Sequence, residues 1–232
     1  MSEISLYVVI KEKITQEFKE LIDALHFFLN EMNKCDERIT AFYNQGETLE
    51  DALKNKIVDV NGYTHPNALN LIGEYLPIVG GLWDGNEEDS MSILFMQKEE
   101  SASVLMSAEN HIGIYYKKDL IDFIKVVSEK YTLQLFSVSF NGSDTGKALF
   151  PDRPPVGWML YLPIQFKTPP SLLETGAEFI PVSTSLSTGT IIISQGDYNC
   201  MDKADQQTAN DLELALRDLG ILPLYSEIYK DK

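Results

Sequence analysis

The sequence predicts an α+β fold: a mostly antiparallel β-sheet covered by helices, in a single domain spanning residues 1–232. Three observations carry that reading. Strand-like runs interleave unevenly with helix-like ones. Neither an internal repeat nor a low-complexity tract interrupts the chain. Apolar residues make up 44% and charged residues 23%, ordinary globular usage that excludes a disordered chain, a fibre and a disulfide scaffold.

Ile4 to Ile10 is β-branched and apolar and reads as a first strand. Thr15 is a candidate cap for the next segment, in which Phe18, Leu21, Ile22, Leu25, Phe28, Leu29 and Met32 recur at helical spacing. That predicts an amphipathic helix over 16–34. Ile39 to Tyr43 is a short strand, and Thr48-Leu49-Glu50-Asp51 resembles a capping box opening a short helix. Thr64, with Pro66 in the first turn, predicts a further helix to about Tyr75. Leu82–Asp84, Met91–Gln97, Ala102–Ser107 and Ile112–Tyr116 are short runs between turn-like stretches, expected as antiparallel strands. Asp119 to Tyr131 returns to a helical period through Leu120, Phe123, Ile124 and Val127. Leu133–Phe140, Val156–Leu162, Phe179–Val182 and Thr190–Ser194 follow as strands, and Gln206–Leu219 as a last helix that Gly220 ends. Asn141–Asp152 and Lys167–Ala177 read as surface loops, since composition does not shift across them.

Charge narrows the function. Lys plus Arg number 19 against 35 Asp plus Glu, a formal net charge of −16. Such a surface repels nucleic acid and anionic membranes and steers basic proteins toward it. The opening Met1-Ser2-Glu3-Ile4-Ser5 has no basic region or long apolar run, so no signal peptide is expected, and no run of about 18 apolar residues predicts a membrane span. Cys35 and Cys200 match no zinc or redox spacing and read as reduced thiols of a cytoplasmic protein.

Motifs for catalysis are weak. His26, His65 and His111 have no metal-ligand spacing. Gly142-Ser-Asp-Thr-Gly146-Lys147-Ala148 resembles a phosphate loop, but is one residue short and carries Ala148 where a hydroxyl must meet magnesium. A serine-nucleophile elbow is absent, and a nucleophilic Cys35 would need a histidine brought to it by the fold. No catalytic, metal or cofactor residue is therefore assigned, and no cofactor is expected.

The acids do cluster. Asp84, Glu87, Glu88, Asp89, Glu99 and Glu100 stand against one base, Lys98. A hairpin with strands at about 91–97 and 101–106 would put Glu99 and Glu100 in its turn and Glu87–Asp89 in the loop at its other end. Asp197, Asp202 and Asp205 form a second set. Each cluster reads as a solvated loop or as an electronegative surface for a basic partner. Trp83 and Trp158 each follow glycine closely and suit either a core or a desolvated partner contact. Tyr63, Tyr115 and Tyr116 are further aromatic candidates for such a contact. The candidate partner-binding set is thus Trp83, Asp84, Glu87, Glu88, Asp89, Glu99, Glu100, Asp197 and Asp202.

The strings Phe150-Pro-Asp-Arg-Pro-Pro-Val-Gly-Trp-Met-Leu-Tyr-Leu-Pro163 and Gly189-Thr-Ile-Ile-Ile-Ser194, with Leu49–Leu53 and the Trp83-Asp84-Gly85 turn, are distinctive. Together, over roughly residues 4–222, they resemble the immunity protein 52 family of bacterial polymorphic toxin systems. The stretch from Ser90 to Asn141 adds little to the match. The resemblance implies a cytoplasmic antitoxin encoded beside a nuclease toxin of restriction-endonuclease fold, in type VI secretion or related weapons. Such a protein binds the toxin and blocks it. The resemblance brings no catalytic residue. Two other readings stay open from the residues: a small carboxylate-dependent hydrolase, and an acidic scaffold without a nuclease target. Homo-oligomerisation also stays open.

Overall fold

The computed structural model describes residues 3–14, 17–72, 78–109, 116–141 and 149–229. In chain order its elements are β1 (Glu3–Ile10), α1 (Phe18–Cys35), β2 (Ala41–Tyr43), α2 (Leu49–Lys54), β3 (Lys56–Asp59), α3 (Ala68–Ile72), β4 (Ile78–Trp83), β5 (Met91–Gln97) and β6 (Ala102–Ala108). Then come α4 (Lys117–Lys130), β7 (Leu133–Asn141), β8 (Met159–Leu162), α5 (Pro170–Leu173), β9 (Glu178–Ser183), β10 (Thr188–Ile193), α6 (Lys203–Asp218) and α7 (Tyr225–Ile228). The fold is α+β, and its strand pairs are antiparallel. The chain divides into two compact units. The first takes residues 1–11 and 124–232, the second residues 12–123.

In the first unit the strand order is β1-β7-β8-β10-β9. Val9 lies opposite Leu135, and Leu160 opposite Ile192. These four join Leu212 and Leu216 of α6 in one buried cluster. Alternation supplies one apolar face of the sheet and the helical period supplies the stripe that covers it. All four residues of β8 are buried, so the Met-Leu-Tyr-Leu part of the distinctive string is a central strand of this core.

The second unit orders its strands β3-β2-β4-β5-β6. Helix α1 buries Leu21, Ile22, Leu25, Phe28, Leu29 and Met32. The Phe28 ring meets Phe95 of β5 and Phe123 of α4 edge-on, at centroid distances of 5.8 and 6.3 Å. Edge-to-face rings add stabilisation beyond the area they bury.

Several boundaries differ from the sequence reading, each for a local reason. The Val156–Leu162 strand begins only at Met159, because Gly157 takes a φ of +53° and turns the chain first. A Cβ at Gly157 would also lie 2.6 Å from the carbonyl oxygen of Val138. Thr64 does not open a helix: it bridges to Val58, and α3 starts at Ala68. Helix α6 starts at Lys203, earlier than the apolar period suggested, because the Asp202 side chain accepts the Ala204 N–H at 2.8 Å. It ends at Gly220 as expected: Gly220 N–H donates to Arg217 and Ile221 N–H to Leu216, both at 2.9 Å. β3 and α7 have no counterpart in the sequence reading, and the 167–177 loop holds the short helix α5. Thr15, Tyr75, Ile112–Tyr115 with His111, and the 142–148 phosphate-loop resemblance lie outside the described residues. Among the described residues no helix is long and apolar enough to cross a membrane.

Candidate interaction surface

The β4–β5 connection is built by short polar side chains folding the backbone onto themselves. Asp84 is buried, and its Oδ1 accepts the N–H of Asn86 at 3.2 Å and of Met91 at 3.1 Å. Asn86 Oδ1 accepts the N–H groups of Glu88 and Asp89 at 3.2 and 3.4 Å. Such Asx contacts fix a turn without a helix or ladder. They present Glu87 and Glu88 outward, both exposed. Asp89 is half-buried and holds Arg38 Nη1 at 2.8 Å. Arg38 in turn grips Asp36 through Nη2 at 2.7 Å and Nε at 3.0 Å. That hydrogen-bonded pairing raises the guanidinium pKa further.

Beside this turn lies a surface of rings and aliphatic side chains. Tyr43 pairs with Trp83 across β2 and β4, and their ring centroids are 6.4 Å apart. Gly85, at φ +86°, lies beneath Tyr43 and Leu53: a Cβ there would be 2.8 Å from the Tyr43 ring and 3.2 Å from Leu53 Cδ2. Glycine is therefore required both by the turn and by the approach of the ring. Lys56 Nζ sits 6.0 Å from the Tyr43 centroid and 5.9 Å from that of Tyr63, near the outer limit for a cation over a ring. Thr48 caps α2 by accepting the Asp51 N–H at 3.2 Å. The helix leaves Leu49 and Leu53, one turn apart, 40% and 42% exposed. Exposed acids flank them at Glu47, Glu50 and Asp51. Half-buried rings, exposed leucines and an acidic rim are the ingredients of a protein-binding surface with a desolvatable centre.

The other candidate residues lie elsewhere. Glu99 and Glu100 occupy the β5–β6 turn as expected, closed by Lys98 N–H donating to the Ser101 carbonyl at 2.8 Å. Seven residues of β5 separate them from Glu87–Asp89, about 20 Å at a strand's rise, so the two sets do not form one patch. Glu100 pairs with Lys13 at 3.2 Å. Asp197 and Asp202 belong to the first unit. Asp197 is exposed and offers its carbonyl to Gln195, while Asp202 is the α6 cap. Asp205 accepts the Asn199 N–H at 2.7 Å. The two tryptophans part company. Trp83 stays partly accessible, whereas Trp158 is 3% exposed in the first unit. Tyr63 and Tyr116 are 41% and 58% exposed, and Tyr115 lies outside the described residues. Tyr43 and the Leu49–Leu53 pair were not singled out from sequence as contact residues, although leucines four apart on a helix flanked by acids are a readable signal.

No group of three or more His, Cys, Asp or Glu among the described residues is placed to hold a metal. His26 Nε2 lies 3.1 Å from Thr64 Oγ1, and His65 Nδ1 accepts the Asn67 N–H at 3.0 Å. Burial, with the charges of Asp119 and Glu31, pushes the Cys35 thiol up to about 12. At pH 8 this cuts its thiolate fraction roughly two-thousandfold below that of a free cysteine near 8.5. Alkylation of native protein by iodoacetamide, followed by peptide mass spectrometry, should therefore leave Cys35 unmodified until the chain is unfolded.

No protein-family model and no curated protein sequence matches the chain. Among solved structures it is similar to the Pseudomonas aeruginosa T6SS protein PA0821. The TM-score is 0.54 at 9% identity, over 92% of this chain and 73% of that one. At that identity the likeness concerns the fold alone.

Proposed function

We propose that this chain is an immunity protein of a type VI secretion system. It binds a cognate toxin, a basic nuclease of restriction-endonuclease fold, in the cytoplasm and blocks it without catalysing a reaction. The observation that carries the reading is the Tyr43–Trp83–Leu53 surface with Glu87 and Glu88 at its edge. A nuclease must present a basic groove to phosphates, and an acidic inhibitor is steered onto that rim at rates far above the neutral baseline. Slow release needs more than charge, and the rings and leucines supply the anchor. The sequence strings that resemble immunity protein 52 and a fold neighbour that is named a T6SS protein lend support from outside this surface.

Co-expression with the toxic product of the neighbouring gene tests the reading. The expected result is growth with the native chain and death without it. Glu87→Ser with Glu88→Ser should leave the melting temperature within about 2 °C, as exposed positions do. The same pair should slow association several-fold and flatten its salt dependence in stopped-flow binding. Unchanged association with this double variant would move the contact off this surface.

A further inference from the structure

We propose that a cavity in the first unit binds a ligand with a free carboxylate, an adjacent N–H and an apolar body, the chemistry of an N-acylated amino acid or a polypeptide C-terminus. The cavity holds about 630 Å³ beside the α6–α7 connection, a size typical of small-ligand sites. Its walls include Leu162, Ile164, Leu222 and Ile228.

Lys11 and Arg153 line it. Of the three arginines in the chain, Arg38 grips Asp36 and Asp89, and Arg217 holds Asp218. Among the described residues, neither Arg153 nor Lys11 has a carboxylate within ion-pair distance, although acids outnumber bases 35 to 19. Arg153 donates through Nη1 to the Leu222 carbonyl, which orients the guanidinium and leaves the rest of its five-donor fork for an anion. Among the described residues the lining contains one acid, Glu227, and its Oε2 is engaged by the Leu224 N–H at 2.7 Å.

The third polar group selects among anions. Gln134 lines this cavity, and its Oε1 is shut off from solvent with no hydrogen-bond donor among the described residues, so a turn of the amide toward the cavity would bring it the N–H of a ligand. A buried amide oxygen without a partner is costly and calls for an N–H. A carboxylate with an amide N–H beside it and an apolar side chain satisfies the cations, the orphan oxygen and the walls together. Inorganic phosphate or a simple fatty acid offers no such N–H. This inference does not depend on the immunity reading, whose surface belongs to the other unit.

Calorimetric titration of the full chain with N-acetyl-leucine, N-acetyl-leucinamide and acetyl-alanyl-alanyl-leucine tests it. The acids should bind, and the amide should bind at least about tenfold more weakly. Arg153→Ala and Gln134→Leu should each weaken acid binding about tenfold, since each removes a polar partner. Gln134→Leu should also melt no lower than the parent, because it removes the orphan oxygen, so lost binding there is not lost folding. A tripeptide acid far tighter than N-acetyl-leucine identifies the occupant as a chain end, and equal affinities identify a free acylated amino acid. No binding of either acid at millimolar concentration, equal binding of the amide, or unaltered binding by Gln134→Leu would overturn the proposal.

Discussion

Glu213→Ala is expected to lower the unfolding free energy by about 3 kcal/mol or more, with equilibrium urea unfolding as the check. Glu213 is 2% exposed on α6. Its Oε1 accepts the Leu149 N–H at 2.9 Å and its Oε2 the Val156 N–H at 3.1 Å, and the Phe150 N–H also bonds to it. One helix carboxylate thus closes the main chain that leads into β8. Truncation leaves several N–H groups without acceptors, each costing about 1–3 kcal/mol where water cannot replace them. Glu213→Gln should be the milder change, because one amide oxygen still accepts while the amide nitrogen faces a donor. The pH dependence has a definite sign. Burial outweighs the N–H bonds and holds this carboxyl above the usual carboxylate range. The folded chain therefore keeps the proton where the unfolded chain has lost it. The residue's contribution is greatest below the ordinary carboxylate pKa and declines as pH rises through the folded value. The gap between parent and Glu213→Ala should accordingly be wider in acid than at neutral pH.

Trp158→Ala should cost about 3–5 kcal/mol, the range for emptying a buried aromatic site. The ring lies 6.2 Å from Phe140 and 6.4 Å from Tyr198, which are themselves stacked at 5.6 Å. Its Nε1–H donates to the Gln195 carbonyl at 3.2 Å. Loss of the indole removes one of three mutually packed rings and strands that carbonyl. Trp158→Phe keeps most of the packing and should cost about 1 kcal/mol for the missing hydrogen bond, with some packing loss besides. Urea unfolding of both variants measures the difference, and near-ultraviolet circular dichroism reports the cluster itself.

These two residues show where the sequence was legible. Trp158 and Trp83 each lie within two residues of a preceding glycine and look alike as strings, yet one is core and the other partly exposed. Only the long-range pairing of β8 with β10, and of β4 with β2, separates them. Ala209, Leu212, Glu213 and Leu216 share one helical stripe, so an acid on the apolar face of α6 was a readable signal for a buried carboxylate. What it would bond was not readable, because its partners lie 57 and 64 residues away. Helix α1 was plain, since its period persists over 18 residues. β3 is Lys-Ile-Val-Asp, too short for alternation to register. The acid clusters were visible, and the hairpin geometry that parts Glu99–Glu100 from Glu87–Asp89 followed from strand length. The aromatic and leucine surface beside Glu87 was not, because burial of each ring is a tertiary fact.

The immunity reading is tested most directly by titrating the purified chain into its neighbouring toxin and following plasmid cleavage on a gel. The account predicts that cutting ceases at equimolar dose and stays suppressed. Cutting that continues unchanged at a several-fold excess of this protein would contradict it.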